Sequence, residues 1–223
     1  TAAARVLLVL RFGLSLAFHV FNTSFNVGLK ERFNFTPKLH ATYYGFAGLV
    51  YSISQALLAK PLIKKAKINP QYLIATCIIG LACGRTITAL APSIYVMFAG
   101  TATVITFLGV LNTAISATVS QIAGSDQVGG FIGTIEGVES FSGIIGPTIG
   151  GLVAKTGTMG PLATVCTMYA GLTTLVLMTF KTSVMSQIES LAKDAAKEDE
   201  AQAKKEMEAE VEAEAEAEVI TTG

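Results

Sequence analysis

The stretch that decides the fold is residues 129–157, which read GGFIGTIEGVESFSGIIGPTIGGLVAKTG. It is apolar over a length of more than 20 residues, yet it contains two carboxylates, Glu136 and Glu139. About 20 apolar residues cross the hydrocarbon core of a bilayer as a helix, and charges within such a span are costly. The stretch therefore predicts a transmembrane helix whose two charges need a specific reason.

The whole chain has the composition of a membrane protein. Of its 223 residues, 51% are hydrophobic and 14% are charged, and the mean hydropathy is +0.56. Soluble domains usually carry about 25% charged residues. Because lipid offers no hydrogen-bond partner to an open backbone, each apolar stretch must be a helix. We therefore predict an all-α membrane protein with six transmembrane helices, at about 6–29, 42–58, 71–91, 93–122, 130–154 and 161–180.

Charge divides the chain into two parts. Residues 1–180 hold 11 Lys and Arg against 4 Asp and Glu, whereas residues 181–223 hold 5 against 12. We predict a transmembrane domain over 1–180 and an acidic tail over 181–223, helical at first and then disordered. The scattered positive charge excludes a nucleic-acid binder and the apolar body argues against a soluble enzyme.

Lysine and arginine in short loops predict the orientation. An even number of spans puts both termini on one side, together with the cluster Lys60–Lys67. This cluster places the termini on the cytoplasmic side of a membrane that the sequence does not identify.

Glu136 and Glu139 lie three residues apart and therefore share a face of the fifth helix. Glu139 is about 14 Å from the start of that helix, near the middle of a core about 30 Å thick. A carboxylate there can exchange a proton, hold a cationic substrate or form a structural ion pair. Arg11 either pairs with Glu136 or extends its side chain to the headgroups, and Arg85 has the same reach to the interface. Glu136, Glu139 and Arg11 are the candidates for coupling or gating.

Polar residues also align on the first helix. His19, Asn22 and Asn26 follow i, i+3, i+7 spacing, which predicts one stripe. The stripe faces either a substrate cavity or another helix. Asn112 offers a similar polar group on the fourth helix. These four residues are the candidates for a substrate cavity.

Small residues recur every four positions on the fifth helix. Such spacing allows helix backbones to approach closely, and a proline within the helix invites a bend. This pattern favours either a moving interface or static packing. The residues predicted to pack are Gly133, Gly137, Gly146, Pro147 and Gly150.

Catalytic and metal-binding patterns are not recognisable. Cys77, Cys83 and Cys166 lie in apolar runs and suit packing rather than disulfides or zinc. We expect no metal, no cofactor and no enzymatic activity.

Three segments resemble a known family: LKERFNFTP at 29–37, YYGFAGLVYSISQALLAKPLIKK at 43–65, and the stretch 129–157. Together they are similar to the C-terminal six-helix half of a major facilitator superfamily transporter, in the drug:proton antiporter or tetracycline-transporter-like group. The resemblance makes the first helix here helix 7 of the family, and the fifth, helix 11. It implies that His19, Asn22, Asn26 and Asn112 line a central cavity and that the two glutamates lie near the seam between halves.

The chain departs from that family in two ways. The family's cytoplasmic loop motif survives only as PLIKKAKI at 61–68, without its Asp and Gly. The N-terminal half is absent from the sequence. A lone half cannot enclose a central site, so the resemblance implies that the chain is either a fragment of a longer transporter or a unit that pairs with a partner. That partner is an N-terminal six-helix half or another membrane subunit.

Two functions from different classes remain. The first is a secondary active transporter that moves a small organic solute by alternating access, with or without proton coupling. The alternative is a non-transporting membrane subunit that scaffolds a larger complex. In both, the lipid bilayer surrounds the helices.

The orientation can be tested by cysteine labelling. In a variant in which the three native cysteines are replaced by Ser, Lys65→Cys should react with an impermeant maleimide only after permeabilisation. Lys155→Cys, on the opposite side, should react without it. The reverse pattern would invert the orientation.

Overall fold

The chain is described by a computed structural model that covers residues 1–59, 61–62, 69–123, 127–157, 159–197 and 200. The lysines of the predicted 60–67 cluster and the Ala/Glu run at 206–218 lie outside these residues. The described chain is helical and contains no strand. Its main helices are α1 (Ala2–Phe33), α2 (Pro37–Ile53), α3 (Pro70–Ala89), α4 (Ile94–Ile122), α5 (Val128–Ala154) and α6 (Met159–Phe180); π-helical turns follow α2 (Ser54–Ala59) and α6 (Lys181–Met185).

Polar residues at the helix ends set the boundaries. The side chains of Thr1, Thr36, Asn69 and Ser93 each accept a backbone N–H from the first turn of α1, α2, α3 and α4, respectively. Pro37 and Pro70 occupy the first position of α2 and α3. A backbone N–H at this position has no hydrogen-bond partner within the helix, so proline, which lacks the N–H, fits there. At the other end of α1, Asn34 takes a left-handed conformation, with φ of 50°, and stops the helix.

Four of the six helices are long and apolar enough to cross a membrane. They are α1 (Ala2–Phe33), α3 (Pro70–Ala89), α4 (Ile94–Ile122) and α6, which continues as a helix over Met159–Lys197. The α2 helix has only 17 residues before its π-helical turn. The α5 helix has 27 residues, but it contains two glutamates and is not one of these four helices. The class of an apolar, all-helical membrane protein is therefore right, and six complete crossings stay a prediction.

The chain divides into two compact units, Thr1–Val184 and Met185–Gly223. In the first unit, the largest contacts are between α3 and α4 and between α1 and α5, while α6 packs on both α3 and α1. In the second unit, residues 186–197 form an α-helix, in which all residues are exposed except Gln187 and Ile188, which are half-buried. Lys193 pairs with Glu189 there at 3.0 Å.

Glycines bring α1 and α5 into close, parallel contact. A Cβ added to Gly150 would lie 2.7 Å from the backbone oxygen of Val20, and one added to Gly146 would meet the Cβ of His19. In successive contacts the residue numbers increase along both helices, so α1 and α5 run in the same direction. The predicted close packing is thus present at Gly146 and Gly150.

The other predicted packing glycines, Gly133 and Gly137, differ. Nothing in the described chain lies within 4 Å of a Cβ added at either position. Helix geometry explains this, because at 100° per residue Gly137 lies about 180° around the axis from Gly146. Pro147 is exposed, and the helix continues through it to Ala154. The repeated small residues therefore form two faces, of which one packs on α1.

Alanine substitutions separate these two faces. Gly150→Ala should destabilise the protein by about 1–3 kcal/mol, because the new methyl group overpacks the contact with Val20. Gly137→Ala is the matched control and should be neutral or slightly stabilising, since alanine favours helix over glycine. Thermal unfolding in detergent measures both. Equal losses at the two positions would contradict the assignment of the faces.

Candidate functional site

A chain of side chains links four helices near the centre of the bundle. The Arg11 guanidinium on α1 donates one hydrogen bond to the Asn112 amide oxygen on α4 and another to the Glu139 carboxylate on α5. The Asn112 amide nitrogen donates to the Tyr51 hydroxyl on α2 at 2.9 Å. We call Arg11, Glu139, Asn112 and Tyr51 the central cluster. It joins residues as far as 128 positions apart in sequence.

The partner of Arg11 differs from the two predicted outcomes. It is Glu139 rather than Glu136, and the guanidinium lies within the bundle, its side chain 14% exposed. Glu139 is seven residues before Gly146, two turns along the same face of α5 that packs on α1. Glu136 is ten residues before Gly146, about 80° around the axis, and it is exposed.

Two serines support this geometry from the same interface. Ser142 Oγ on α5 donates to the Phe12 backbone oxygen on α1 at 3.4 Å. Ser15 Oγ on α1 donates to the Glu139 backbone oxygen at 3.5 Å. Both residues are buried, so they hold the register of α1 and α5 directly around the ion pair.

The central cluster separates two cavities. The larger, of about 290 Å³, opens between α2, α4 and α5, and we call it the Glu136 cavity. Among the described residues, Glu136 forms no ion pair, so its carboxylate is the unneutralised charge of this cavity. Its polar wall consists of Arg11, Tyr51, Gln55, Asn112, Thr113 and Ser116, and Ile132 and Ile135 contribute apolar surface.

The smaller cavity has a volume of about 70 Å³ and lies on the other side of the cluster. We call it the Tyr169 cleft. It shares Arg11 and Asn112 with the larger cavity, and it adds Glu139. Its remaining wall is mostly apolar and comes from α1, α3, α4 and α6: Leu14, Ser15, Phe18, Leu81, Leu108 and Tyr169.

The three polar residues predicted as one cavity stripe on α1 have different surroundings. His19 packs on Gly146 of α5, Asn22 accepts a hydrogen bond from Arg85 on α3 at 3.1 Å, and Asn26 is exposed and accepts one from Tyr44 on α2 at 3.4 Å. None of the three lines the two cavities. A stripe about 10 Å long passes several neighbouring helices, so alignment on one face does not bring its members to one site.

Sequence reasoning missed Tyr51 and Tyr169. Both are tyrosines within apolar runs, and only the packing of α2 and α6 against α4 and α1 brings them to the cluster and the cleft. A hydroxyl on an apolar span was the available signal, since a buried Tyr usually finds a hydrogen-bond partner. In the part of the chain that the structure describes, no group of three or more His, Cys, Asp or Glu residues could hold a metal ion.

Comparison with known proteins agrees with this architecture. The chain matches the family model described as Major Facilitator Superfamily over residues 7–211. It belongs to this superfamily. The match covers most of the chain, from within α1 to beyond α6, and it confirms the resemblance to the superfamily. The assignment to the C-terminal half stays a prediction.

One curated relative is Multidrug resistance protein 2 of Bacillus subtilis (strain 168). It is 26% identical to this chain over 149 residues, which cover 66% of the chain and 35% of the relative. The matched part is thus about a third of the length of that protein. No solved structure matches the chain.

A double-mutant cycle tests the central ion pair. Arg11→Gln and Glu139→Gln should each destabilise the protein because each leaves the other charge without its partner, and the guanidinium that Glu139→Gln leaves is mostly buried. The double variant should recover part of that loss, with a coupling energy of about 1–3 kcal/mol from chemical unfolding in detergent.

The matched control is the exposed pair of Glu189 and Lys193, where a cycle of the same design should give no more than about 0.5 kcal/mol. Additive effects of Arg11→Gln and Glu139→Gln would show that the two side chains do not interact.

Proposed function

We propose that the full-length protein is a secondary active transporter that moves a small organic solute by alternating access. In this proposal, the chain supplies one six-helix half and pairs with a second half. Membership of the superfamily supports it, because members of the family are transporters rather than enzymes. The structural observation that supports the proposal most directly is the central cluster, in which one cation, Arg11, lines both cavities.

The Glu136 cavity is the proposed site for the solute. Its volume of about 290 Å³ is near the lower end of the range for small-molecule pockets, about 300–1,000 Å³. Pairing with a second half would close its open side and enlarge it. The free carboxylate of Glu136 and the hydroxyl groups of Thr113 and Ser116 provide polar contacts, while Ile132 and Ile135 provide apolar ones.

Glu139 is the proposed coupling residue. Its side chain is 39% exposed, and its carboxylate pairs with Arg11, which also lines the Glu136 cavity. A proton taken up by Glu139 removes the charge that holds Arg11. The guanidinium is then free to turn towards Glu136, one turn away on α5, and this exchange of partners changes the charge that a solute meets.

The proposed topology follows from the loop charges. Both termini lie on the cytoplasmic side of an integral membrane protein surrounded by lipid, and the cluster Lys60–Lys67 lies on that side too.

Transport by reconstituted full-length protein tests the coupling. Proteoliposomes with an imposed pH gradient are assayed with two fluorescent probes, the cation rhodamine 123 and the anion fluorescein. Wild-type protein should accumulate at least one of them. Glu139→Gln should reduce gradient-driven accumulation about tenfold or more, whereas exchange without a gradient should survive, because Gln keeps the size but cannot ionise.

Glu189→Gln makes the same chemical change at an exposed ion pair outside the first unit and should leave both activities unchanged. Unaltered gradient-driven transport by Glu139→Gln at equal reconstitution would remove Glu139 from the coupling mechanism. A wild-type protein that moves neither probe under any gradient would favour the scaffolding subunit.

A further inference from the structure

Arg85 on α3 is a buried cation that the central cluster does not use. Only 4% of the residue is exposed. Among the described residues, no carboxylate lies within ion-pairing distance of its guanidinium. Its Nε–H is also buried without a hydrogen-bond acceptor in that part of the chain. A buried charge without a counter-charge is unfavourable, so an anion bound near this guanidinium would stabilise the fold.

The groups around Arg85 are neutral. Asn22 accepts a hydrogen bond from Nη1 at 3.1 Å, and the guanidinium carbon lies 4.5 Å from the centre of the Phe21 ring and 5.2 Å from that of Phe18. The Tyr169 hydroxyl also interacts with Arg85. Such contacts orient a guanidinium and reduce the cost of burying it, but they leave its positive charge in place.

Two of these neighbours, Phe18 and Tyr169, also line the Tyr169 cleft. Arg85 therefore lies one side-chain layer behind the cleft wall. A second cation, Arg11, lines the cleft directly, and its Nε–H is likewise buried without an acceptor among the described residues. The carboxylate of Glu139 offsets one of these two charges. The net charge around the cleft is then +1.

The cleft has the size and the donors for a small anion. Its volume of about 70 Å³ corresponds to roughly two water molecules at about 30 Å³ each, too little for a whole drug-sized solute. Arg11, Ser15, Asn112 and Tyr169 are the residues of its wall that carry hydrogen-bond donors. A halide or a single carboxylate group fits this space.

We propose that the Tyr169 cleft is a binding site for a monovalent anion, which contacts Arg11 and is balanced by the charge of Arg85. The anion is either a free halide such as chloride or the carboxylate group of a transported solute. The second source rests on the transport function proposed above, and the first does not.

Anion-dependent stability tests the site without any assay of transport. The melting temperature of the purified full-length protein is measured in detergent with sodium gluconate, then with chloride or acetate at equal ionic strength. Chloride or acetate should raise the wild-type Tm by about 1–2 °C, the shift expected for a protein of two such halves at a few times Kd. Arg85→Gln should abolish the shift, and Arg85→Lys, which keeps the charge, should retain part of it.

Arg5→Gln removes a positive charge from an exposed position of α1 and serves as the matched control; its shift should equal that of the wild type. Should Arg85→Gln fail to fold, Tyr169→Phe provides a second variant and should reduce the shift. Equal wild-type Tm values in gluconate, chloride and acetate would overturn the proposal. A full shift in both Arg85→Gln and Tyr169→Phe would also overturn it.

Transport by proteoliposomes distinguishes the two sources. For a free halide, rhodamine 123 uptake should depend on chloride; for a solute carboxylate, chloride should compete with fluorescein, and Arg85→Gln should weaken fluorescein uptake at least fivefold. Anion-dependent Tm shifts in a protein that moves neither probe would support the site while the proposed transport fails. Transport without any anion-dependent shift would overturn the site and leave the transport proposal standing.

Discussion

The close approach of α1 and α5 is the constraint on which the centre of this molecule depends. At Gly146 and Gly150 there is no side chain on α5, and His19 and Val20 of α1 fill that space. Two parallel helices packed this closely keep a fixed register. The residue two turns before Gly146 on the same face, Glu139, must then lie beside α1 near Arg11. The ion pair is thus a consequence of where the glycines stand, and Asn112 and Tyr51 extend it to α4 and α2.

The central cluster gives its two cavities different electrostatic character. Arg11 and Glu139 largely neutralise each other, so the electrostatic potential in each cavity depends mainly on the nearest charge outside this pair. On the side of α2, that charge is the carboxylate of Glu136; on the side of α6, it is the guanidinium of Arg85, behind Phe18 and Tyr169. Low-dielectric surroundings strengthen such differences. A single neutral pair therefore separates the proposed solute site, next to the carboxylate of Glu136, from the proposed anion site, next to the guanidinium of Arg85.

Much of the fold could be predicted from the sequence, because apolar length and helix breakers are local properties. Pro70 and Pro161 mark the starts of α3 and α6 within two residues, whereas α1 is longer than predicted at both ends because Thr1 and Asn34 cap it. The partner of Arg11 could not be predicted from the sequence, because a choice between two glutamates requires knowing which face of α5 meets α1. The helical phase of Gly137 and Gly146 was available in the sequence and separates the two faces.

The face of α5 that packs on α1 sets the position of the ion pair. Gly146 and Gly150 hold this face close to α1, and Ser142 donates to the Phe12 backbone oxygen, whereas Gly129, Gly133 and Gly137 lie about 100–180° around the axis from Gly146 and have no close neighbour in the described chain. Glu139 lies on the packed face and pairs with Arg11, while Glu136 and Ile132, on the neighbouring part of the helix, line the larger cavity. In the alternating access proposed above, the pairing of Glu139 with Arg11 is therefore the contact that connects charge in the cluster to the wall of the cavity.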